Sequence, residues 1–371
     1  MTSHTLRRAV ALFSGGLDSI LAAKLIQAQG VDVVGLHFVS PFFGHPEKIP
    51  HWEATYALPL QPVDISETFV AMLTRRPQHG FGSVMNPCVD CKILMLRRAR
   101  SIMEEKRACC IVSGEVLGQR PMSQRRDSLN VIRRDAGVRD CLLRPLSALR
   151  LDPTESEIAG LIDRTQLLAI SGRGRKEQMA LAERFGLREI PAPAGGCLLT
   201  EQENARVFWP VLTRIRRPGA ADFRLSRTGR QFWHGLRDAS PESVQWLIIG
   251  RNQDDNTALM DVAEEGDLLF KVRDFSGPIG LGRRLARRWD AGTVEEAATL
   301  IASYAPKCMR SAAESGERVA VRVHSGSLDI PGTEVLVAPR RESLFWQEPA
   351  WPDAHEDIRA EARAAAISKE S

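Results

Sequence analysis

The stretch ALFSGGLDSILAAKL, from Ala11 to Leu25, decides how the chain is read. An apolar run from Val10 to Phe13 has the length of a buried strand. Ser14-Gly15-Gly16 interrupts it, and a helix-forming segment from Ser19 to Gln29 follows at once. A strand that turns into a helix through two glycines presents a row of backbone N–H groups at the helix N-terminus. Those donors, with the helix dipole, favour a bound anion. Gly15 and Gly16 let the backbone approach a phosphate and take turn conformations closed to other residues, and Ser14 and Ser19 add hydroxyls. Asp18 does not attract a bare phosphate. It has two readings, a ligand of a Mg2+ ion bridging the phosphates or an anchor at the helix N-terminus. No Gly-Lys-Ser/Thr follows, so this is not a Walker loop, and a third glycine at the dinucleotide-binding position is missing.

Working outward, strands and helices alternate as in parallel α/β proteins. Val31 to Phe38 and Leu60 to Ile65 read as strands, with Gly30 as a helix stop. A short helix over Glu67 to Leu73, a Gly/Pro-rich loop over Arg75 to Asp90, a basic helix over Cys91 to Lys106 and a strand over Cys109 to Ser113 follow. Asp152 to Arg164 and Arg175 to Phe185 read as helices, and Pro191 to Gly196 as a Pro/Ala/Gly elbow. Glu201 to Arg217 reads as a linker helix ending at Pro218-Gly219. Beyond it the pattern changes to short strands (Val244 to Ile249, Leu268 to Val272, Arg318 to Val323, Thr333 to Val337) interrupted by a helix over Val294 to Tyr304. The fold class is therefore α/β, a doubly wound parallel sheet with a second, smaller α+β domain. The tail after Pro352 reads as a frayed helix or disorder.

The chain has 371 residues, enough for two domains with a sizeable core. The net charge of +4 is small, but arginines crowd into Arg97 to Arg150 and Arg206 to Arg237. Such clusters either steer a polyanion or solvate a surface. No stretch approaches the ~20 apolar residues of a membrane span, and the first residues do not fit a signal peptide. A cytoplasmic protein is expected, with no membrane association. Its seven cysteines are then not structural disulfides but buried, metal-binding or catalytic residues.

With these residues in view, Ser14-Gly-Gly-Leu-Asp-Ser19 after an N-terminal strand resembles the PP-loop of the ATP pyrophosphatase superfamily. Its members have the adenine nucleotide alpha hydrolase-like fold, cleave ATP between the α and β phosphates and adenylate a substrate oxygen. Gly114-Glu-Val-Leu-Gly-Gln-Arg-Pro-Met-Ser-Gln124 resembles a segment of the tRNA 4-thiouridine synthetases that packs beside the nucleotide, which implies nucleotide contacts for Gly114 and Gln119. Leu143-Arg-Pro-Leu146 fits the same family at the end of another strand. Asn86-Pro-Cys-Val-Asp-Cys-Lys92 resembles the Asn-Pro-x-x-x-Cys stretch of the tRNA 2-thiouridylases, with Cys91 on the sulfur-handling cysteine and Cys88 as an addition. Ala194-Gly-Gly-Cys-Leu-Leu199 matches the second cysteine of that family at Cys197. The resemblance covers roughly residues 8 to 200. It implies ATP and Mg2+ at Ser14, Gly15, Gly16, Asp18 and Ser19. The loop around Leu36 to Phe38, including His37, would face adenine.

Three thiolates, at Cys88, Cys91 and Cys197, are available for catalysis or metal binding. Zinc usually takes a fourth protein ligand, and none is obvious nearby in sequence. The set suits a [4Fe–4S] cluster with one open iron, as in a subset of tRNA thiolases. Otherwise Cys91 and Cys197 run a persulfide–disulfide cycle, which leaves Cys88 without a role. Cys109, Cys110, Cys141 and Cys308 read as packing residues. Arg97, Arg98 and Arg100, on the helix after Cys91, either meet tRNA phosphates or form a solvated face.

In the second half, Phe223-Arg-Leu-Ser-Arg227, Ile249-Gly-Arg-Asn-Gln-Asp-Asp-Asn256, Gly266 to Pro278 and Ile330-Pro-Gly-Thr-Glu-Val-Leu-Val337 resemble the NFACT-R RNA-binding domain over residues 222 to 348. Lys271 replaces the usual His, and Pro278-Ile279 stands where that family has Ser-His. Asn252 and Asn256 either belong to the motif's function or cap turns. The expected organisation is a PP-loop domain over 1–200, a linker helix over 201–221, an NFACT-R-like domain over 222–348 and a tail over 349–371. The N-terminal RNA-binding module of the 4-thiouridine synthetases is not seen before the elbow, so the C-terminal domain is expected to dock tRNA. These resemblances imply an ATP-dependent tRNA sulfurtransferase. It would adenylate a uridine or cytidine carbonyl oxygen and replace it with sulfur from a cysteine desulfurase or free sulfide. The alternatives are a PP-loop enzyme that adenylates a small molecule, or an RNA-binding factor with a vestigial nucleotide site.

Overall fold

The computed structural model describes residues 7–192, 196–236, 244–343 and 345–370. Ala194 and Gly195 of the second cysteine motif and Arg237 of the second arginine cluster lie outside the described residues. The chain divides into two compact units, Met1–Thr200 and Glu201–Ser371.

The first unit runs β1 (Arg8–Leu12), α1 (Leu17–Gln27), β2 (Asp32–Val39), α2 (Ile49–Tyr56), β3 (Leu60–Asp64), α3 (Ser66–Thr74), α4 (Cys88–Glu105), β4 (Cys110–Ser113), α5 (Arg126–Asp135), β5 (Leu142–Leu143), α6 (Glu155–Ile158) and α7 (Lys176–Arg184). Its sheet has the order β3-β2-β1-β4-β5 with every pair parallel. Ala9, Val10 and Ala11 of the central strand are buried because helices cover both faces. From β1 the chain moves outward to β2 and β3, then returns to add β4 on the other side. The C-terminal ends of β1 and β4 therefore flank the topological switch point, where open α/β sheets bind ligands. The elbow leaves β1 there and the Gly114 segment leaves β4.

Two expectations change here. The helix expected over Asp152 to Arg164 is only α6 plus a 3-10 turn, Arg164–Gln166. A Thr154/Glu157 capping box starts it, but Gly160 at φ +68° turns the chain out of helical geometry. The basic helix starts at Cys88 rather than Cys91, with Pro87 at its N-cap. Cys88 and Cys91 thus lie three residues apart on one helix face.

The second unit runs α8 (Gln202–Arg214), α9 (Ala220–Leu225), β6 (Arg230–His234), β7 (Gln245–Ile249), α10 (Gln253–Asp261), β8 (Leu268–Val272), β9 (Ile279–Arg283), α11 (Ala291–Ser303), α12 (Pro306–Ser315), β10 (Val319–Ser325), β11 (Thr333–Val337), β12 (Trp346–Gln347) and α13 (Trp351–Glu370). Its antiparallel sheet has the order β11-β10-β8-β9-β7-β6-β12, with α11 packed on it. The segment expected as a linker helix is α8, which packs against α13 within this unit. The tail is α13 itself, held through buried Ala354 and Ile358 and by the Trp209 indole N–H donating to Asp357 Oδ2 at 3.0 Å. Asn252 caps α10 by accepting from Asp255 N at 2.8 Å, and Asn256 Oδ1 accepts from Ile279 N at 2.9 Å. Both hold turns. No helix among the described residues is long and apolar enough to cross a membrane.

Candidate nucleotide and thiol site

The elbow is built from the inside. Gly15 takes φ +76°, and a Cβ on it would sit 2.6 Å from Trp52 Cζ2, so α2 closes against the turn and only glycine fits. The Ser19 hydroxyl donates to Gly16 O at 2.7 Å and its amide to the same oxygen at 3.0 Å. Ser14 N donates to Ser19 Oγ at 3.3 Å, while Ser14 itself is exposed. Gly16 is the N-cap of α1 and offers no side-chain cap. The Leu17 and Asp18 amides, the first two of α1, have no intrahelical acceptors and open onto the switch point.

Asp18 meets the Gly114 segment. A Cβ on Gly114 would lie 2.5 Å from Asp18 O and 2.6 Å from Ser19 N, so β4 ends hard against the first turn of α1. Gln119 Nε2 donates to Asp18 Oδ2 at 3.1 Å, and Asp18 Oδ1 is buried with no partner among the described residues. The structure thus brings Asp18, Gly114 and Gln119 together. Gly114→Ala is expected to destabilise at the upper end of the roughly 1–3 kcal/mol typical of overpacking, because the clash is with backbone. Urea unfolding checks it, and a cost near zero would mean that the two segments separate readily.

His37 is a correction. It is 2% exposed, with Nδ1 against Phe13 O at 3.0 Å and Nε2 accepting from His45 N at 2.8 Å. Because Nε2 accepts, Nδ1 carries the proton, and burial lowers the pKa of the ring. No ring nitrogen remains for a nucleotide. His37 instead packs on Phe13 and Trp52 and fixes the wall behind the elbow.

Below the mouth lies an ion pair that the motifs contained but whose pairing they did not disclose. Glu115 Oε2 accepts from Arg144 Nε at 3.0 Å, and both side chains are 3% exposed. Burial alone would raise the Glu115 pKa, but Arg144 and then Lys92 outweigh it and hold the carboxyl below the usual glutamate range. Its contribution to stability is present above that range and lost as pH falls through the depressed value. Arg144→Met leaves buried Glu115 without its hydrogen-bonded partner and with only Lys92 at 4.0 Å, so it is expected to cost about 3–5 kcal/mol. Glu115→Gln combined with Arg144→Met is expected to recover most of that loss in chemical denaturation.

The three thiols come from two segments. Leu198 N donates to Phe42 O at 3.0 Å and Met85 N to Leu199 O at 3.1 Å, which pins the Cys197 turn beside the start of α4. Asn86 Nδ2 lies 3.1 Å from Cys88 Sγ. Burial pushes the Cys91 thiol up to about 12, opposed by Lys92 and reinforced by Cys197 and Cys88. Burial also raises Cys197, opposed by backbone donors and reinforced by Cys88. Cys88 and Cys91 share a face at the start of α4, the Cys197 turn is pinned beside it, and all three thiols are free. Among the described residues no group of three His, Cys, Asp or Glu is arranged to hold a metal ion as it stands.

These thiols and the elbow lie at the same end of the sheet. Asn86 Nδ2 also lies 3.4 Å from Met122 Sδ, in the segment whose Gln119 reaches Asp18. Lys92 Nζ stands 4.0 Å from Glu115 Oε1, one residue past Gly114. Sequence reasoning missed Trp52 and Ser147. The Ser147 hydroxyl accepts from Leu117 N at 3.0 Å and donates to Ile170 O at 2.7 Å, stapling two mouth segments. No local sequence signal marks either contact. Of the cations after Cys91, Arg97 donates to Asp135 O at 2.8 Å, Arg98 pairs with Glu105 and Arg100 binds Glu104 and Gly137 O. They are engaged within the unit.

Residues 4–159 match the family described as Thiamine biosynthesis protein (ThiI). The chain is 31% identical over 203 residues to a probable tRNA sulfurtransferase of Methanothermobacter thermautotrophicus, covering 53% of this chain and 45% of that one. It is 32% identical over 149 residues to a probable tRNA sulfurtransferase of Moorella thermoacetica, covering 38% and 36%. It thus spans less than half the length of either curated relative. Among solved structures, the U34-tRNA thiolase NcsA from Methanococcus maripaludis with its [4Fe-4S] cluster aligns at a TM-score of 0.28 and 15% identity, over 51% of this chain and 60% of that one. The C-terminal part of the fibronectin/fibrinogen-binding protein from Streptococcus suis aligns at 0.24 and 15%, over 44% and 74%. Likeness at these scores is loose.

Proposed function

We propose, from the match of residues 4–159 to the ThiI family, that this chain is an ATP-dependent tRNA sulfurtransferase. What supports the proposal is the placement of three cysteines, Cys88 and Cys91 on one face of α4 and Cys197 on the turn pinned beside the start of that helix, at the end of the sheet that also holds Asp18. Small-molecule adenylation has no use for such a placement.

The elbow amides and Gly15-Gly16 hold the phosphates of ATP, and Ser14 and Ser19 border them. The partnerless, buried Asp18 Oδ1 is a place for a cation, and the donor suits Mg2+. The target carbonyl oxygen attacks the α-phosphorus and pyrophosphate leaves. AMP is a better leaving group than oxide, so sulfur displaces it at carbon. The backbone donors stabilise charge that develops on the phosphoryl oxygens.

The thiols fit an iron–sulfur cluster by donor chemistry. The pocket offers three sulfur ligands, the donor type that iron–sulfur clusters take. Cys88, Cys91 and Cys197 would hold it, and it would supply an open iron for sulfide. The second unit takes the tRNA-docking role.

The test is ATP–pyrophosphate exchange with and without tRNA, together with nucleoside mass spectrometry of tRNA from a deletion strain. RNA-stimulated exchange and a missing thionucleoside are expected. Exchange indifferent to RNA would favour a small-molecule substrate, and none at all a binding protein.

A further inference from the structure

The elbow, Ser14 to Ser19, holds no lysine or arginine. A triphosphate bound there must find its cations elsewhere, and one loop of the first unit has them to spare. Ser171-Gly-Arg-Gly-Arg-Lys176 leads into α7. Ser171 forms a parallel bridge with Leu117, and Gly172 N donates to Leu117 O at 2.7 Å. A Cβ on Gly118 would come within 3.6 Å of Gly172 N, and the next residue, Gln119, is the one that reaches Asp18. The Ser147 staple locks this docking from below. The loop therefore sits on the segment that touches the elbow, and α7 packs against α1.

Arg173 and Lys176 are exposed and Arg175 half-exposed, and none makes an ion pair or side-chain hydrogen bond with the described residues. Other arginines of this unit are engaged, as Arg133 is by Asp152 and Arg8 by Asp32. Three unengaged cations at one loop repel each other unless an anion joins them. The N-cap of α7, Arg175, offers no side-chain cap, so the first-turn amides lack acceptors.

A second observation is independent of charge. Gln178, in that first turn, is fully buried, and both its Nε2 and its Oε1 lack partners among the described residues. A side chain there leans back toward the helix N-terminus. An unsatisfied buried amide under an uncapped helix start is costly in the empty protein and is relieved by a ligand with hydrogen-bonding oxygens.

We infer that Ser171–Lys176 and the start of α7 form a second anion site, which grips the β,γ end of the nucleotide and the pyrophosphate that leaves. This rests on the reading of the elbow as an ATP site. The pyrophosphoryl group is favoured over an RNA phosphate because the loop is docked on the segment that contacts Asp18.

The test uses the full chain and a variant carrying Arg173→Gln, Arg175→Gln and Lys176→Gln, with circular dichroism as the folding control. Calorimetric titration with pyrophosphate, ATP and AMP is compared with a tRNA gel shift. Pyrophosphate and ATP are expected to weaken at least about tenfold in the variant, with AMP and tRNA unchanged. Unchanged pyrophosphate binding overturns the inference, as does an equal loss of AMP, a loss confined to tRNA, or wild-type protein that binds no pyrophosphate. Wild-type protein that binds pyrophosphate through this loop but neither AMP nor ATP would instead sink the reading of the elbow.

Discussion

Serine in place of Cys88, Cys91 or Cys197 is expected to reduce RNA thiolation at least about a thousandfold in each single variant, because groups that act as one unit fail together. ATP–pyrophosphate exchange should survive, since the elbow, Asp18 and Gln119 take no sulfur ligand. The diagnostic is the equality of the three losses. A persulfide cycle on Cys91 and Cys197 gives Cys88 no part, so Cys88→Ser would keep its activity. Cys88 lies one helical turn from Cys91 on the same face of α4, beside the pinned Cys197 turn, so a ligand set shared by all three would include it. Anaerobic iron and sulfide analysis gives the parallel readout, with metal lost from all three variants. Colourless, iron-free and active wild-type protein would defeat the cluster assignment. Loss of exchange in the Cys91 variant would show instead that the thiol pocket and the nucleotide site are one structural unit.

The sequence made some of this legible and hid the rest for identifiable reasons. The elbow, the Gly114 segment and both cysteine motifs are local patterns, and chain order alone placed them after successive strands. The alternation of strands and helices located the central strands to within a residue or two, because buried parallel strands are near-continuous apolar runs. Strand β9, Ile-Gly-Leu-Gly-Arg, escaped because its glycines look like turn residues. They are there for packing, since a Cβ at Gly280 would lie 2.3 Å from Ile301 and one at Gly282 2.7 Å from Trp289. Helix α5 escaped because its arginines and aspartates bury only Leu129 and Ile132. His37 was overread. Leu36 to Phe38 was expected as a loop facing adenine, but it lies within β2, and two backbone groups consume the His37 ring. Trp52 against Gly15, Glu115 against Arg144 and the Ser147 staple are long-range pairings with no periodic or spacing signature.

Asp18→Asn is the variant that separates binding chemistry from structure most cleanly. The asparagine side chain retains an oxygen for the 3.1 Å hydrogen bond from Gln119 but loses the negative charge. In the empty protein the carboxylate is a liability, because Oδ1 is buried without a partner among the described residues, and removing its charge removes a desolvation penalty. Thermal stability is therefore expected to hold or rise. Catalysis should move the other way. A carboxylate that positions Mg2+ against the phosphates acts on charge that develops as pyrophosphate departs, and losing such an electrostatic contact costs on the order of 10²–10³ in rate. Exchange is expected to fall by that factor, with a raised Mg2+ requirement that extra metal partly offsets. The opposite pattern, a less stable protein with near-normal exchange, would make Asp18 an anchor for the start of α1 and transfer the task of holding the metal to residues outside the elbow. The buried orphan oxygen argues for the first outcome, since an anchoring carboxylate would spend both of its oxygens on the helix it anchors.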